Sequence, residues 1–123
     1  NAKTLPTSFP IRGRISSELT LTACRGEYEP VSFAVSALET VKGLKVVPTD
    51  LVSGANRIPA SAVDVRVVKC WYQAGVRISD TRHKLLVPEL LLKDDGLVKV
   101  DLKTKQNYLR ASAPGGRTRY VLI

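Results

Sequence analysis

A charged hexapeptide, Arg-Gly-Glu-Tyr-Glu-Pro at positions 25–30, lies between two stretches in which every second residue is apolar. A repeat of two residues is typical of a strand with one buried face, and an amphipathic helix has a longer repeat. We therefore predict an antiparallel β domain in which strands 19–24 and 30–37 meet at a charged corner. The alternating apolar residues are Leu19, Leu21, Ala23, Val31, Phe33 and Val35.

The length and the composition of the chain agree with one folded domain. The chain has 123 residues, of which 44% are hydrophobic, and this share is sufficient for a core. No apolar run is long enough to span a membrane. Residues 1–4 lack the apolar core of an export signal, so we expect such a signal to have been removed or never to have existed.

The net charge of +8 raises the question of an acidic partner. The basic residues are scattered along the chain, and the densest group is formed by Arg110, Arg117 and Arg119. This scatter favours a solvated basic face over a nucleic-acid interface. Weak attraction to acidic polymers, including acidic polysaccharides, stays open as an alternative.

Turn-forming clusters separate further apolar stretches at intervals of about ten residues, a spacing typical of a β-sandwich. Asp94, Asp95 and Gly96 predict a hairpin with a strand on either side. Residues 59–63 predict one helical turn, too short to be stable alone. The further predicted strands cover 44–47, 63–72, 85–92, 98–100, 108–110 and 119–123.

These elements predict an all-β fold, an antiparallel sandwich of the immunoglobulin-like or jelly-roll-like type, over residues 19–123. Prolines interrupt residues 1–18, which we predict to be an irregular lead-in or an edge strand. The last predicted strand ends in Tyr-Val-Leu-Ile without a polar tail. We therefore expect an open, incomplete edge there, covered by a partner strand or by a longer polypeptide.

The residues that bind metals in proteins are scarce. Cys24 and Cys70 are the two cysteines, and His83 is the one histidine. We predict no metal site and no cofactor from this set. Two separate half-buried thiols are favoured, and a disulfide between them is the alternative.

Two pairs of carboxylates are candidate acid–base catalysts, since glycoside hydrolysis needs two flanking carboxyl groups. We expect Glu27 and Glu29 to make structural contacts with Arg25 and nearby backbone at the corner. The aspartates at 94 and 95 are interpreted as turn residues. His83 lies between two basic residues in a polar stretch and is interpreted as a loop residue. The sequence therefore predicts no catalytic residue.

Trp71, Tyr72 and Gln73 form the densest aromatic and polar group, and they are the candidate ligand-binding residues. A flat ring beside an amide suits a sugar, which has an apolar C–H face and a rim of hydroxyl groups. Trp71 continues the phase of Val63, Val65 and Val67, which favours a place in the core. Tyr72 and Gln73 are the better surface candidates.

Five segments, in this order, resemble the N-terminal β-sandwich accessory domain that precedes glycoside-hydrolase-like barrels in bacterial secreted proteins. The similarity covers residues 19–110. The cysteines at 24 and 70 depart from the pattern, which argues against a disulfide in this family. The segments are ACRGEYEPVSF (23–33), IPASAVDVR (58–66), KCWYQ (69–73), VPELLLKDD (87–95) and NYLR (107–110).

The resemblance implies a secreted, non-catalytic accessory module that supports a hydrolase domain and contacts glycan. The implied partner is the catalytic domain of the same polypeptide, and the family pattern continues beyond Ile123 with closing strands. The alternative function is a structural β subunit that assembles with itself or with a strand-donating partner through its open edge. We expect neither nucleic acid nor a membrane span among its interactions.

Overall fold

The computed structural model describes residues 4–10, 15–75 and 82–123. This part of the chain contains antiparallel strands and short 3₁₀ turns, and no α-helix, which confirms the β-rich prediction. Residues 1–3 and 11–14 of the predicted lead-in, and residues 76–81, lie outside the described residues. The strands are β1 (Leu51–Ser53), β2 (Asn56–Ile58), β3 (Val67–Ala74), β4 (Lys84–Leu92), β5 (Val98–Asp101), β6 (Gln106–Ala113) and β7 (Arg117–Leu122).

The chain divides into two units, one of residues 6–44 and one of residues 1–5 with 45–123. The described residues of the first unit form no strand, so the predicted strands 19–24 and 30–37 are wrong. The strand predicted at 44–47 is not formed either. The alternating side chains stay about half exposed, as Leu21 (49%) and Phe33 (57%) show, because no neighbouring strand pairs with them.

A small hairpin opens the regular part of the second unit. β1 pairs with β2, so that Leu51 lies opposite Ile58, and Gly54 makes the turn with a positive φ of 56°. Asp50 precedes the hairpin and forms a salt bridge of 2.5 Å with Arg57. The same carboxylate accepts a hydrogen bond from the backbone of Ala60, the first residue of a 3₁₀ turn at Ala60–Ala62. The predicted helical turn is therefore confirmed.

β3 and β4 form an antiparallel two-stranded sheet. Its register shifts between Lys69 and Cys70, so Glu89 is an extra residue on β4 and makes a bulge next to Pro88. A bulge is one of the few places where a strand accommodates a proline, which lacks the N–H donor. The strands predicted here are confirmed, except that β3 begins at Val67 and not at residue 63.

β5, β6 and β7 form an antiparallel three-stranded sheet in chain order. The 3₁₀ turn Pro114–Gly116, a Pro-Gly-Gly sequence between the predicted strands 108–110 and 119–123, connects β6 to β7. The hairpin predicted at the aspartates is wrong, because β4 pairs with β3 and not with β5. Asp94 Oδ1 instead accepts a hydrogen bond of 2.8 Å from Gly96 N and begins a 3₁₀ turn, Asp95–Leu97, that leads into the second sheet.

The buried residues of the second unit come from both of its larger sheets. Among its described residues, Val87 and Leu92 of β4 and Val98 of β5 are the buried apolar side chains, and Asn107 of β6 is also buried. Many other apolar side chains are substantially exposed, including those of β7. No helix in the part of the chain described by the structure is long and apolar enough to cross a membrane.

Candidate functional site

The three residues predicted to bind a ligand lie on β3, but they do not share one face. Side chains alternate along a strand, so Trp71 and Gln73 lie on one face and Tyr72 on the other. Trp71 is paired with the buried Val87, and Tyr72 with Leu86. The proposed trio therefore divides between the more buried face of the sheet and its opposite face.

Tyr72 is held by a side chain of the neighbouring sheet. Its backbone N–H donates a hydrogen bond of 2.9 Å to Asn107 Oδ1, and Asn107 Nδ2 donates one of 2.7 Å to the Tyr72 carbonyl. The Tyr72 hydroxyl lies 3.5 Å from the carbonyl of Leu102. These three contacts hold Tyr72, which is half-buried. Such a position suits a residue that connects the two larger sheets.

Sequence reasoning missed Asn107 as a structural residue. A signal was present, because Asn107 occupies the same phase of β6 as Leu109 and Ala111, where an apolar residue is expected. A polar residue in a buried phase needs a hydrogen-bonding partner, and the backbone of β3 supplies both of them.

Trp71 has a half-buried side chain whose indole Nε1 is fully buried. Among the described residues, no acceptor forms a hydrogen bond with this N–H. Such a donor is costly to bury without a partner. Its face also carries Val87 and Leu92, two of the buried apolar side chains, so the indole packs as part of the core.

The charged corner is a tight turn. Glu27 Oε2 accepts a hydrogen bond of 2.9 Å from Cys24 N, and Glu27 N donates one of 3.1 Å to the Cys24 carbonyl. Gly26 has a φ of 82°, a conformation that favours glycine. Arg25 and Glu29 make no hydrogen bond or ion pair with other described residues, and both are exposed.

Asp94 and Asp95 both lie at the start of the turn that precedes β5. Asp94 pairs with Arg110 of β6, and Asp95 accepts a hydrogen bond of 2.8 Å from Lys69 Nζ of β3. The Arg110 guanidinium, with the Gly96 N–H, holds the pKa of Asp94 below its usual value. Each carboxylate thus has a cationic partner from a neighbouring strand, an arrangement that fixes the turn.

The two thiols take no part in these contacts. Cys24 and Cys70 are both free, Cys24 is exposed, and burial raises the pKa of the Cys70 thiol. The expected half-burial therefore holds for Cys70 and is wrong for Cys24, which lies in an open turn. His83 is exposed just before β4. The described residues include no group of three or more potential metal ligands.

Strand β7 is the most open element of the larger sheets. All six of its residues are exposed, and it is an edge strand of its sheet, as β5 is on the other side. The Ile123 N–H donates to the Asn107 carbonyl, so odd-numbered residues of β7 bond to β6. The N–H groups of Thr118, Tyr120 and Leu122 consequently point away from β6, toward the free edge.

An apolar depression of about 170 Å³ lies on the β1–β2 hairpin, bordered by Leu51, Val52 and Ile58. It is smaller than the pockets that usually hold small ligands, which start at roughly 300 Å³. Comparison of the chain with protein-family models, with curated proteins and with solved structures gives no match. The function is therefore argued from the geometry of this chain.

Proposed function

We propose that this chain is a non-catalytic β module that assembles through the open edge of β7. The observation that supports this proposal is that all six residues of β7 are exposed at an edge of their sheet. An edge strand presents a row of unpaired N–H and C=O groups, and a partner strand adds to such a row by backbone hydrogen bonds. The outward N–H groups of Thr118, Tyr120 and Leu122 are the donors for this pairing.

The side chains of β7 favour pairing with a specific partner strand over unselective pairing. Arg117 and Arg119 are exposed near its beginning, and charged residues on an edge strand oppose unselective pairing. Val121, Leu122 and Ile123 give the other end an apolar surface, with exposed fractions of 40–56%. A partner strand that covers this end removes apolar surface from water, which favours association.

The proposed partner is a hydrolase-like domain of the same polypeptide in a secreted, carbohydrate-active protein. This context comes from the resemblance of residues 19–110 to bacterial accessory domains. In this proposal the β3–β4 sheet and the β5–β6–β7 sheet are layers of an antiparallel sandwich that the partner completes. The alternative partner is a second copy of the chain, paired edge to edge through β7.

Amide hydrogen exchange tests the proposal at individual residues. We expect the amides of Thr118, Tyr120 and Leu122 to exchange fast in the dilute isolated chain. They become protected in the native polypeptide or, if the partner is a second copy, at high concentration. Leu122→Pro removes an outward N–H and abolishes the protection, whereas Val121→Pro removes a donor to β6 and disturbs the sheet itself.

Exchange that stays fast at these amides in every state would contradict assembly through β7. Sedimentation velocity over a range of concentrations separates the two partners, because only self-pairing depends on the concentration of the isolated chain. Turnover of a glycoside by the purified chain would contradict the non-catalytic part of the proposal.

A further inference from the structure

The β5–β6–β7 sheet has a second face, opposite the one that carries the buried Val98. Paired residues of antiparallel strands lie on the same face, so Lys99, Tyr108 and Leu122 form one row across the sheet. Arg110 and Tyr120 form the adjacent row. We call this surface, made of these two rows, the tyrosine face.

The two tyrosine hydroxyl groups of the tyrosine face are both bound to the protein. Tyr108 Oη lies 2.6 Å from Gln106 Oε1, and Tyr120 Oη donates to the Gly96 carbonyl at 3.2 Å. These bonds restrict the orientation of both rings. Tyr120 is 45% exposed and Tyr108 is half-buried, so the surface offers aromatic carbon at a fixed position.

The charge near the tyrosine face is positive. Lys99 lies directly opposite Tyr108, and Lys103 and Lys105 are exposed in the turn that follows β5. In the part of the chain that the structure describes, none of these three lysines forms a salt bridge. Asp101 lies on this same face, since it is paired with Gln106, and its carboxylate accepts hydrogen bonds from the backbone of Lys103 and Thr104. Those bonds, with a smaller contribution from the Lys99 charge, lower the pKa of Asp101, so this carboxylate offsets part of the positive charge.

Arg110 adds little free charge, because Asp94 pairs with it. Arg117 and Arg119 lie on the other face of the sheet, since they occupy the odd positions of β7. Among the described residues, the cations on and beside the tyrosine face that form no salt bridge are thus lysines. Arginine is the usual residue for bidentate recognition of phosphate, so this arrangement favours a ligand with separate carboxylate groups over a nucleic acid.

We propose that the tyrosine face binds an anionic polysaccharide. A sugar ring packs its C–H face on Tyr108 and Tyr120, and its carboxylate lies against Lys99 and the lysines of the following turn. This binding uses side chains of one face, whereas the pairing proposed above uses the backbone edge of β7. A result that contradicts one of the two proposals therefore leaves the other unaffected.

Affinity electrophoresis and titration calorimetry with polygalacturonate test the site, with neutral dextran and a single-stranded oligonucleotide as comparison ligands. Lys99→Gln weakens polygalacturonate binding about threefold, in line with the loss of one exposed ion pair. Lys84→Gln is the matched control, because it removes the same charge from an exposed position on β4 and leaves the binding unchanged. Tyr108→Ala weakens binding roughly tenfold, and Tyr108→Phe, which keeps the ring, binds as the unchanged chain does.

Sulfated dextran distinguishes a requirement for carboxylate from attraction to any polyanionic sugar, and binding of both still supports the anionic site. Increasing salt weakens the interaction, because exposed charges are screened. Equal losses in Lys99→Gln and Lys84→Gln would overturn the site, as would tighter binding of the oligonucleotide or of dextran. Circular dichroism monitors folding, and the exposed Lys99 substitution remains decisive if Tyr108→Ala does not fold.

Discussion

The side-chain amide of Asn107 makes both of its hydrogen bonds to the backbone of one residue, Tyr72, on a strand of a different sheet. Asn107 is 6% exposed. Its carbonyl oxygen accepts and one of its two N–H groups donates, as the residue opposite Tyr72 in an antiparallel pair would, so the amide substitutes for a neighbouring strand at this point of β3. One side chain thereby joins the two larger sheets.

Replacement of Asn107 is therefore expected to destabilise the fold. Asn107→Ala leaves the N–H and C=O of Tyr72 without these partners, and we expect a loss of about 2 kcal/mol in the free energy of unfolding. Asn107→Asp keeps an acceptor but places a carboxylate beside the Tyr72 carbonyl, so it is expected to cost at least as much. Urea unfolding followed by circular dichroism measures both, with the exposed Asn56→Ala as control.

The strands of the second unit were predictable because their local patterns agree with their pairing. The alternation around Val98 and Tyr108 and the Pro-Gly-Gly turn before β7 all point to the same sheet. Residues 19–37 have an equally regular alternation, yet the structure contains no strand there. Alternation shows which face of a strand would be buried. A strand forms only where a neighbouring strand also provides backbone hydrogen bonds, and the alternation does not show whether one does.

The candidate site was less predictable than the sheets. The aspartates at 94 and 95 were assigned to a turn, but the turn leads to a different sheet, because Asp94 bonds to Gly96 N and pairs with Arg110. The row formed by Lys99 and Tyr108 depends on the register between β5 and β6. A register is a relation between distant segments, so residue spacing in one strand does not reveal it.

The buried indole N–H of Trp71 leads to a prediction about the stability of two variants. Trp71→Phe removes the indole N–H that lacks an acceptor among the described residues, and this gain offsets part of the lost packing. We expect a loss of stability of about 1 kcal/mol or less, against about 3 kcal/mol for Trp71→Ala. Circular dichroism in urea measures both. Equal losses for the two variants would show that the indole N–H carries no penalty.

The corner turn is expected to depend on the carboxyl oxygen of Glu27. Glu27→Ala removes the acceptor of the Cys24 N–H, so this amide should exchange its hydrogen faster with solvent. Glu27→Gln retains an oxygen acceptor and is expected to preserve most of the protection. Glu29→Ala serves as the control in the same turn region. A Cys24 amide that exchanges at the same rate in all variants would contradict a structural role for Glu27.

The lowered pKa of Asp94 predicts how the stability of the fold depends on pH in the acid range. The pKa of Asp94 is lower in the folded chain than its ordinary value, first because of Arg110 and then because of Gly96 N–H. Its contribution to stability is therefore complete above the pKa of the unfolded state and is lost as the pH falls through the folded-state value. Melting temperatures measured from neutral to strongly acidic pH should fall more steeply for the unchanged chain than for Asp94→Asn. Parallel curves would exclude this contribution.

The two thiols are expected to react at different rates in the folded chain. Cys24 lies exposed in the corner turn, whereas Cys70 is half-buried on β3, and burial raises the pKa of its thiol. Alkylation requires the thiolate, so a raised pKa and restricted access both slow the reaction at Cys70. Iodoacetamide at mildly alkaline pH should modify Cys24 first, and Cys24→Ser should leave only the slow reaction. Peptide mapping by mass spectrometry resolves the two sites. In urea the difference should disappear, and equal rates in the folded chain would show that β3 does not protect Cys70.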